Sequence, residues 1–293
     1  MVTNRSRPAT AGPPWWLLLL AAAGIAAGLY LWQMEPVPRL PSRSATPPST
    51  APADGSAGAS ADRLGSGAEP AAAPASAAPG EGEAGPKFPL PESASQYAGP
   101  MPAVEASDSP ILDALLALAS RDRLAQFLNL QDYARRFVVT VDNLPRQLVP
   151  AQWSALRPVP GQLAVAADHE RITLQAENFA RYDAFVTFVE SLDPKAAARV
   201  YLRFYPLLQE QYRALGYPHG HLNDRVVAAI DDMLTAPEVS GPIRLVQPRV
   251  QYRFDDPLLE SLSAGRKVMI RVGPENAARL KKVLRALRAE IVR

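Results

Sequence analysis

Two histidines and an aspartate lie close together in the stretch "GYPHGHLNDR", which covers residues 216–225. His219, His221 and Asp224 could supply nitrogen and oxygen ligands to a zinc ion. Zinc sites normally use three or four protein ligands, however, and an acidic residue in the first turn of a helix is favoured by the helix dipole alone. The sequence therefore predicts a turn followed by a helix with Asn223 as its N-cap, and it predicts neither a metal site nor a cofactor.

Three arginines form a second candidate site in "PIRLVQPRVQYRF". The alternation of polar and apolar residues predicts a half-buried strand, with Arg249 and Arg253 on its polar side and Arg244 nearby. Pro248 makes it an edge strand or an irregular one. Guanidinium groups bind carboxylates and phosphates through two parallel hydrogen bonds, so these arginines predict a surface for an anionic partner. The alternative is a solvated face with local ion pairs to the neighbouring acidic residues Asp255, Asp256 and Glu238.

Carboxylates offer a third kind of chemistry, since paired acids catalyse hydrolysis or group transfer without His or Cys. The candidates are Glu210, Asp224, Asp231 and Asp232. Asp231 and Asp232 are adjacent in a predicted helix and point in different directions, so they are not a natural pair. The sequence contains no G-x-S-x-G, HExxH or P-loop motif. It assigns no catalytic residue, and it favours a protein that is not an enzyme while leaving an envelope hydrolase or transferase as the alternative.

The composition of the chain changes along its length. The 293 residues include 30 prolines and 17 glycines, no cysteine, and a formal net charge of +2. The lack of cysteine removes disulfides, thiolate nucleophiles and cysteine-based zinc sites together. The changes in composition predict an N-terminal tail (1–14), a transmembrane helix (15–32), a disordered linker (33–103) and a folded domain (104–293).

The apolar run "WWLLLLAAAGIAAGLYLW" has about the length that a helix needs to cross a bilayer. It predicts a single-pass anchor with a cytoplasmic N-terminus, and a cleaved signal peptide is the alternative because small residues offer cleavage positions. Gly24 and Gly28 form a GxxxG pattern, a candidate face for a homodimer. A lipid-facing helix that is merely rich in small residues explains the same pattern.

Residues 33–103 are rich in Pro, Ala, Ser and Gly and lack apolar periodicity. Such a segment buries too little surface to offset the entropy of ordering it. It therefore predicts a flexible tether that lets the folded domain work away from the membrane.

The folded domain is predicted to be mainly α with a small β element, an α+β fold, with a purely helical domain as the alternative. Apolar periodicity indicates helices beginning near Pro110, Tyr133, Phe179 and Pro194, the last capped by Asp193. "LAVAADHERITL" indicates a β-hairpin. Eight residues of the two helices after the hairpin are predicted for the core: Phe185, Phe188, Val189, Val200, Phe204, Leu207, Leu208 and Tyr212.

The last helix, opened by Gly273 and Pro274, is amphipathic and basic. Its apolar residues recur every three or four positions and are expected to dock on the core of the domain. Binding to anionic lipid or to an anionic polymer is the alternative. Its apolar stripe consists of Leu280, Val283, Leu284, Leu287 and Ile291, and its basic residues are Lys281, Lys282, Arg285 and Arg288.

The runs "FVVTVDNLPR", "YLRFYPLLQEQYRALGYP" and "NDRVVAAIDDMLTAPEVSGPIRLVQPRVQYRF" resemble a bacterial family of membrane-anchored proteins, the domain of unknown function 3014. The similarity extends over about residues 104–293. The resemblance implies an N-terminal span, a low-complexity linker and this C-terminal domain, and it assigns no catalytic or binding residue.

The expected protein is therefore a single-pass protein of the bacterial inner membrane with its folded domain in the periplasm. We expect a binding or scaffold module of the cell envelope, whose partner is an envelope protein or a cell-wall component rather than nucleic acid.

Overall fold

The computed structural model describes residues 85–97, 99–168, 171–249 and 251–292. The predicted tail, the transmembrane helix with Gly24 and Gly28, and most of the predicted linker lie outside these residues. No helix in the described ranges is long and apolar enough to cross a membrane.

Helices make up most of the described chain, and a small sheet forms late in it. The elements in chain order are α1 (Asp108–Leu116), α2 (Arg121–Phe127), α3 (Tyr133–Asn143), β1 (Val165–Asp168), β2 (Arg171–Leu174), α4 (Glu177–Ala180), α5 (Asp183–Glu190), α6 (Pro194–Ala214), α7 (Leu222–Leu234), β3 (Arg244–Val246), β4 (Arg253–Phe254), α8 (Pro257–Glu260), α9 (Ala264–Arg271) and α10 (Pro274–Ile291). Short 3₁₀ turns occupy Glu92–Tyr97, Val104–Ala106 and Ala151–Trp153. The prediction of a mainly α fold with a small β element is confirmed.

The four strands form one antiparallel sheet in the order β1-β2-β3-β4. The predicted hairpin is confirmed, because Val165 pairs with Leu174 and Asp168 with Arg171. Within the described residues of "PIRLVQPRVQYRF", a continuous edge strand is not observed. This segment forms two short strands, in which Leu245 pairs with Phe254.

Helix α10 lies at the centre of the packing, against α5, α6 and α7. Leu280, Leu284, Leu287 and Ile291 have no exposed surface, and Val283 is also buried. Docking of the apolar stripe on the core is therefore confirmed.

Helices α5 and α6 follow each other along the chain, and both contribute buried residues to the core. Asp193 caps α6 by accepting a hydrogen bond from the Lys195 amide at 3.1 Å. The ring centroid of Phe188 on α5 lies 4.8 Å from that of Phe127 at the end of α2, so these two helices are in contact. Seven of the eight predicted core residues are buried, whereas Val200 is only partly buried.

Part of the predicted linker is packed rather than disordered. Phe88, Leu90, Tyr97 and Met101 lie against the main hydrophobic core. The boundary predicted between 103 and 104 therefore lies too far along the chain. Isolated apolar residues among prolines carry no periodicity, so sequence pattern alone did not reveal this contact.

Both the backbone conformation at position 273 and a neighbouring side chain favour glycine there. Its φ of 87° and ψ of 160° are rarely adopted by residues with a side chain, and a Cβ atom would lie 2.5 Å from the Cγ atom of Phe179. We expect Gly273→Ala to lower the free energy of unfolding by roughly 2 to 5 kcal/mol in urea titrations.

Gly216→Ala is the matched control, because Gly216 also has a positive φ but an added Cβ would meet nothing within 4 Å. It should cost about 1 to 3 kcal/mol. Shortening Phe179 to alanine should recover part of the loss at Gly273, and equal losses at the two glycines would contradict the steric argument.

Several core tyrosines disfavour ionisation in the folded state. Burial raises the pKa of Tyr133 and, together with nearby Tyr205 and Asp224, that of Tyr201, and burial raises the pKa of Tyr212 to about 12. In the unfolded chain these tyrosines ionise near their ordinary pKa of 10.0. Above this pH the unfolded chain therefore binds fewer protons than the folded chain. Stability is therefore unaffected by these groups below pH 10 and falls as the pH rises further.

Urea unfolding at increasing pH measures this loss. We expect Tyr133→Phe to make the alkaline loss of stability shallower, since it removes an ionisable hydroxyl and keeps the ring. Tyr212→Phe should have a smaller effect because the pKa of Tyr212 is raised less. An alkaline loss in Tyr133→Phe as steep as in the wild type would rule out Tyr133 as a source of this loss.

Candidate functional site

The histidine loop does not assemble a metal site. His219 is exposed, and His221 is the N-cap of α7, which corrects the prediction that Asn223 holds this position. The carboxylate of Asp224 accepts hydrogen bonds from the backbone N–H groups of Lys87 at 3.0 Å and Phe88 at 2.7 Å. Within the ranges that the structure describes, no group of three His, Cys, Asp or Glu residues could hold a metal ion.

Asn223 instead links distant parts of the domain. It is buried in the first turn of α7, where its amide nitrogen donates to the backbone carbonyls of Phe88 at 2.8 Å and Ile291 at 3.1 Å. Its side-chain oxygen accepts from the Tyr201 hydroxyl at 3.0 Å. Asn223 and Asp224 together fasten the segment around Phe88 to the start of α7.

The candidate catalytic carboxylates face different partners. Asp231 forms an ion pair with Arg288 at 2.6 Å, and Asp232 forms one with Arg266 at 2.9 Å. Glu210 is exposed on α6. The structure therefore does not bring these acids together around a shared cavity.

The three arginines predicted to bind an anionic partner lie on the outer face of the sheet or in the connection between its strands. Arg244 on β3 and Arg253 on β4 are exposed, while their neighbours Leu245 and Phe254 are buried beneath. Arg249 lies in the connection between the two strands and lines, with Arg253, an open hollow of about 450 Å³. We call Arg244, Arg249 and Arg253 the sheet arginines.

The sheet arginines form no ion pair within the described part of the chain. The Asp256 carboxylate, one of the acids considered as a local partner, accepts from the Leu258 amide at 2.8 Å and caps α8. Glu238 lies at a different cavity. The alternative of local ion pairs is thus not realised.

That cavity is a mainly apolar cleft of about 320 Å³ beside the inner face of the sheet. Sequence reasoning missed it, because its walls come from distant parts of the chain. Its lining residues come from the end of β2, α4, the connection 236–243, α9 and the first turns of α10: Leu174, Ala176, Phe179, Ala236, Pro237, Glu238, Val239, Gly241, Pro242, Ile243, Met269, Ile270, Pro274, Ala277 and Lys281.

A buried cation supports the sheet from below. The guanidinium of Arg271 lies 5.0 Å from the ring centroid of Phe254, and burial lowers the pKa of Arg271 to about 10. Glu260 accepts hydrogen bonds from the Phe254 amide at 3.0 Å and from the buried Lys267 ammonium at 3.1 Å. These contacts fix β4, and with it the position of Arg253.

Taken together, these residues define an α+β domain with a cationic outer sheet face and an apolar cleft. The family model described as "Protein of unknown function (DUF3014)" matches residues 133–288, more than half of the chain, so the protein belongs to this family. No curated protein and no solved structure matches it.

The contacts of Asp224 lead to a prediction about the segment before α1. Replacing Asp224 with alanine removes the acceptor for two backbone N–H groups. We expect hydrogen exchange at the Lys87 and Phe88 amides to accelerate roughly tenfold or more, since hydrogen bonds to charged groups are among the stronger ones.

Asp224→Asn should give an intermediate rate because the amide keeps one acceptor oxygen. Asp122→Ala, at an exposed acid on α2, is the matched control and should leave these two amides unchanged. Unchanged exchange in Asp224→Ala would show that packing of Phe88 alone holds the segment.

Proposed function

We propose that this protein is a binding module of the bacterial cell envelope, anchored in the inner membrane by residues 15–32 with its folded domain in the periplasm. The apolar run near the N-terminus and the linker composition support this arrangement. The sheet arginines bind carboxylate or phosphate groups of an envelope protein or a cell-wall component.

The proposal rests on the exposure of the sheet arginines and on their lack of ion pairs within the described ranges. All three are exposed, and no acidic residue of the described ranges neutralises them in an ion pair. Arg225, Arg266 and Arg288 are each paired with an aspartate, whereas exposed arginines such as Arg121 and Arg213 also form no ion pair within the described ranges. The positive charge of the sheet arginines is thus available to an external anion.

The geometry favours an extended partner. The arginines lie on neighbouring antiparallel strands and on their connection, so their guanidinium groups sample one continuous face. The hollow between Arg249 and Arg253 is open to solvent and includes Gln251, which adds a neutral hydrogen-bonding group. Bidentate contacts from several arginines recognise a row of anionic groups better than a single small ligand.

The arrangement of the acids also supports binding over catalysis. A carboxylate mechanism needs two acids within reach of one substrate bond. Asp231 and Asp232 are each engaged with an arginine, and Asp224 holds a backbone turn. These acids already have structural roles, which favours the binding module over the hydrolase or transferase.

The test compares the full-length protein with a variant carrying Arg244→Gln, Arg249→Gln and Arg253→Gln. Cosedimentation with purified cell-wall sacculi measures binding to wall carboxylates, and crosslinking followed by affinity capture in native cells measures binding to proteins. If each exposed contact contributes about 0.5 to 1 kcal/mol, the triple variant should bind roughly tenfold to a hundredfold more weakly. Binding should also weaken as salt is added.

The control variant carries Arg121→Gln, Arg123→Gln and Arg213→Gln, which removes the same charge from exposed positions away from the sheet. It should bind like the wild type. If the wall is the partner, the wild type and the control variant should lose binding to sacculi whose carboxylates are amidated. Equal losses of binding in both triple variants would mean that only the net charge of the protein matters. Full binding by the sheet variant would disprove the proposal.

A further inference from the structure

The apolar cleft beside the sheet is built as a preformed cavity. Its floor contains Ile243, Ile270 and Met269, which are buried in the core. Its volume of about 320 Å³ lies within the range of roughly 300 to 1,000 Å³ that small-molecule sites occupy. Mostly apolar walls with a few polar groups are typical of such sites.

The connection over residues 236–243 keeps the cleft open. Pro237 and Pro242 restrict its backbone, and Gly241 has a φ of 93°. The Lys281 ammonium donates a hydrogen bond to the Ala236 carbonyl at 2.8 Å, which ties the start of this connection to α10. The wall is therefore held by covalent stiffness and a hydrogen bond rather than by filling the space with side chains.

The charges at the cleft favour an anionic ligand. Lys281 and Glu238 are the two charged lining residues. Glu238 is exposed and well solvated, whereas Lys281 is partly buried and forms no ion pair within the described ranges. An ammonium group has three donors, and the Ala236 carbonyl uses one of them. A carboxylate bound there would therefore form both an ion pair and hydrogen bonds with Lys281.

We propose that this cleft binds a free single-chain acyl carboxylate, with the chain against the apolar walls and the carboxylate at Lys281. The volume suits one acyl chain of medium length. A two-chain phospholipid would need space for a second chain, so the free acid is the source that the cavity fits. This site is separate from the sheet arginines and does not depend on the function proposed for them.

The test uses the full-length protein in lipid nanodiscs and a decanoate probe with a photoreactive diazirine at the end of its chain. After irradiation, mass spectrometry locates the crosslinks. We expect them in peptides covering residues 174–179, 236–243 and 269–281. Crosslinks spread over the surface, or none at all, would disprove the site.

Three variants test the role of the charge. Lys281→Gln should reduce labelling by the decanoate probe about threefold to fivefold, the effect of one partly exposed ion pair. Lys281→Arg should retain the labelling. Lys282→Gln removes the same charge from the next, exposed residue of α10 and should also label like the wild type.

A photoreactive decanol of the same chain length separates charge from packing. Its labelling should be weaker in the wild type and should not change in Lys281→Gln. An equal fall for both probes would mean that the substitution deforms the cleft, and it would overturn the assignment of the carboxylate to Lys281. Stronger labelling by a photoreactive diacyl phospholipid in the nanodisc would overturn the assignment to a free acid.

Discussion

The apolar stripe of α10 is the constraint on which the rest of the domain depends. Leu280, Leu284 and Leu287 are completely buried against helices that lie far earlier in the chain. Since the helix is rigid, fixing this stripe also fixes its other faces. Lys281 then lies at the apolar cleft, and Arg288 reaches both Asp231 and the ring of Phe88. One hydrophobic contact thus positions groups at two separated places on the surface.

Polar side chains determine where the irregular segments lie. Asn178 bonds the backbone of Ala164 before β1, and Gln209 accepts from the Leu222 amide and donates to the Gly220 carbonyl. With Asn223, these amides satisfy backbone groups that helices and strands leave unpaired. Because amides carry no charge, they can be buried at modest cost when all their hydrogen bonds are made.

Local periodicity predicts the longer helices, whereas the short helices α2 and α9 were not predicted. Long-range contacts explain other features that local patterns miss. The caps and faces of α6 and α10 follow from residues within one or two turns, so they were predicted. Asparagine is a good cap, so the local pattern predicts Asn223 as the N-cap of α7. Its side chain instead bonds the Tyr201 hydroxyl and the Ile291 carbonyl, which no local pattern connects to it. Val200 has helical spacing yet lies beside a surface hollow, so spacing alone overestimated its burial.

Two neighbouring residues of strand β3 belong to opposite faces of the sheet. Leu245 faces the inside, next to the cleft residue Ile243 and above Ile270, while Arg244 faces outwards beside the hollow. A shift of one residue in the pairing with β4 would bury Arg244 and expose Leu245. The cost of burying that charge unpaired, together with the buried Arg271 under Phe254, selects the observed register. The surface of the sheet arginines and the apolar cleft therefore depend on the same short pairing, although they lie on opposite faces of it.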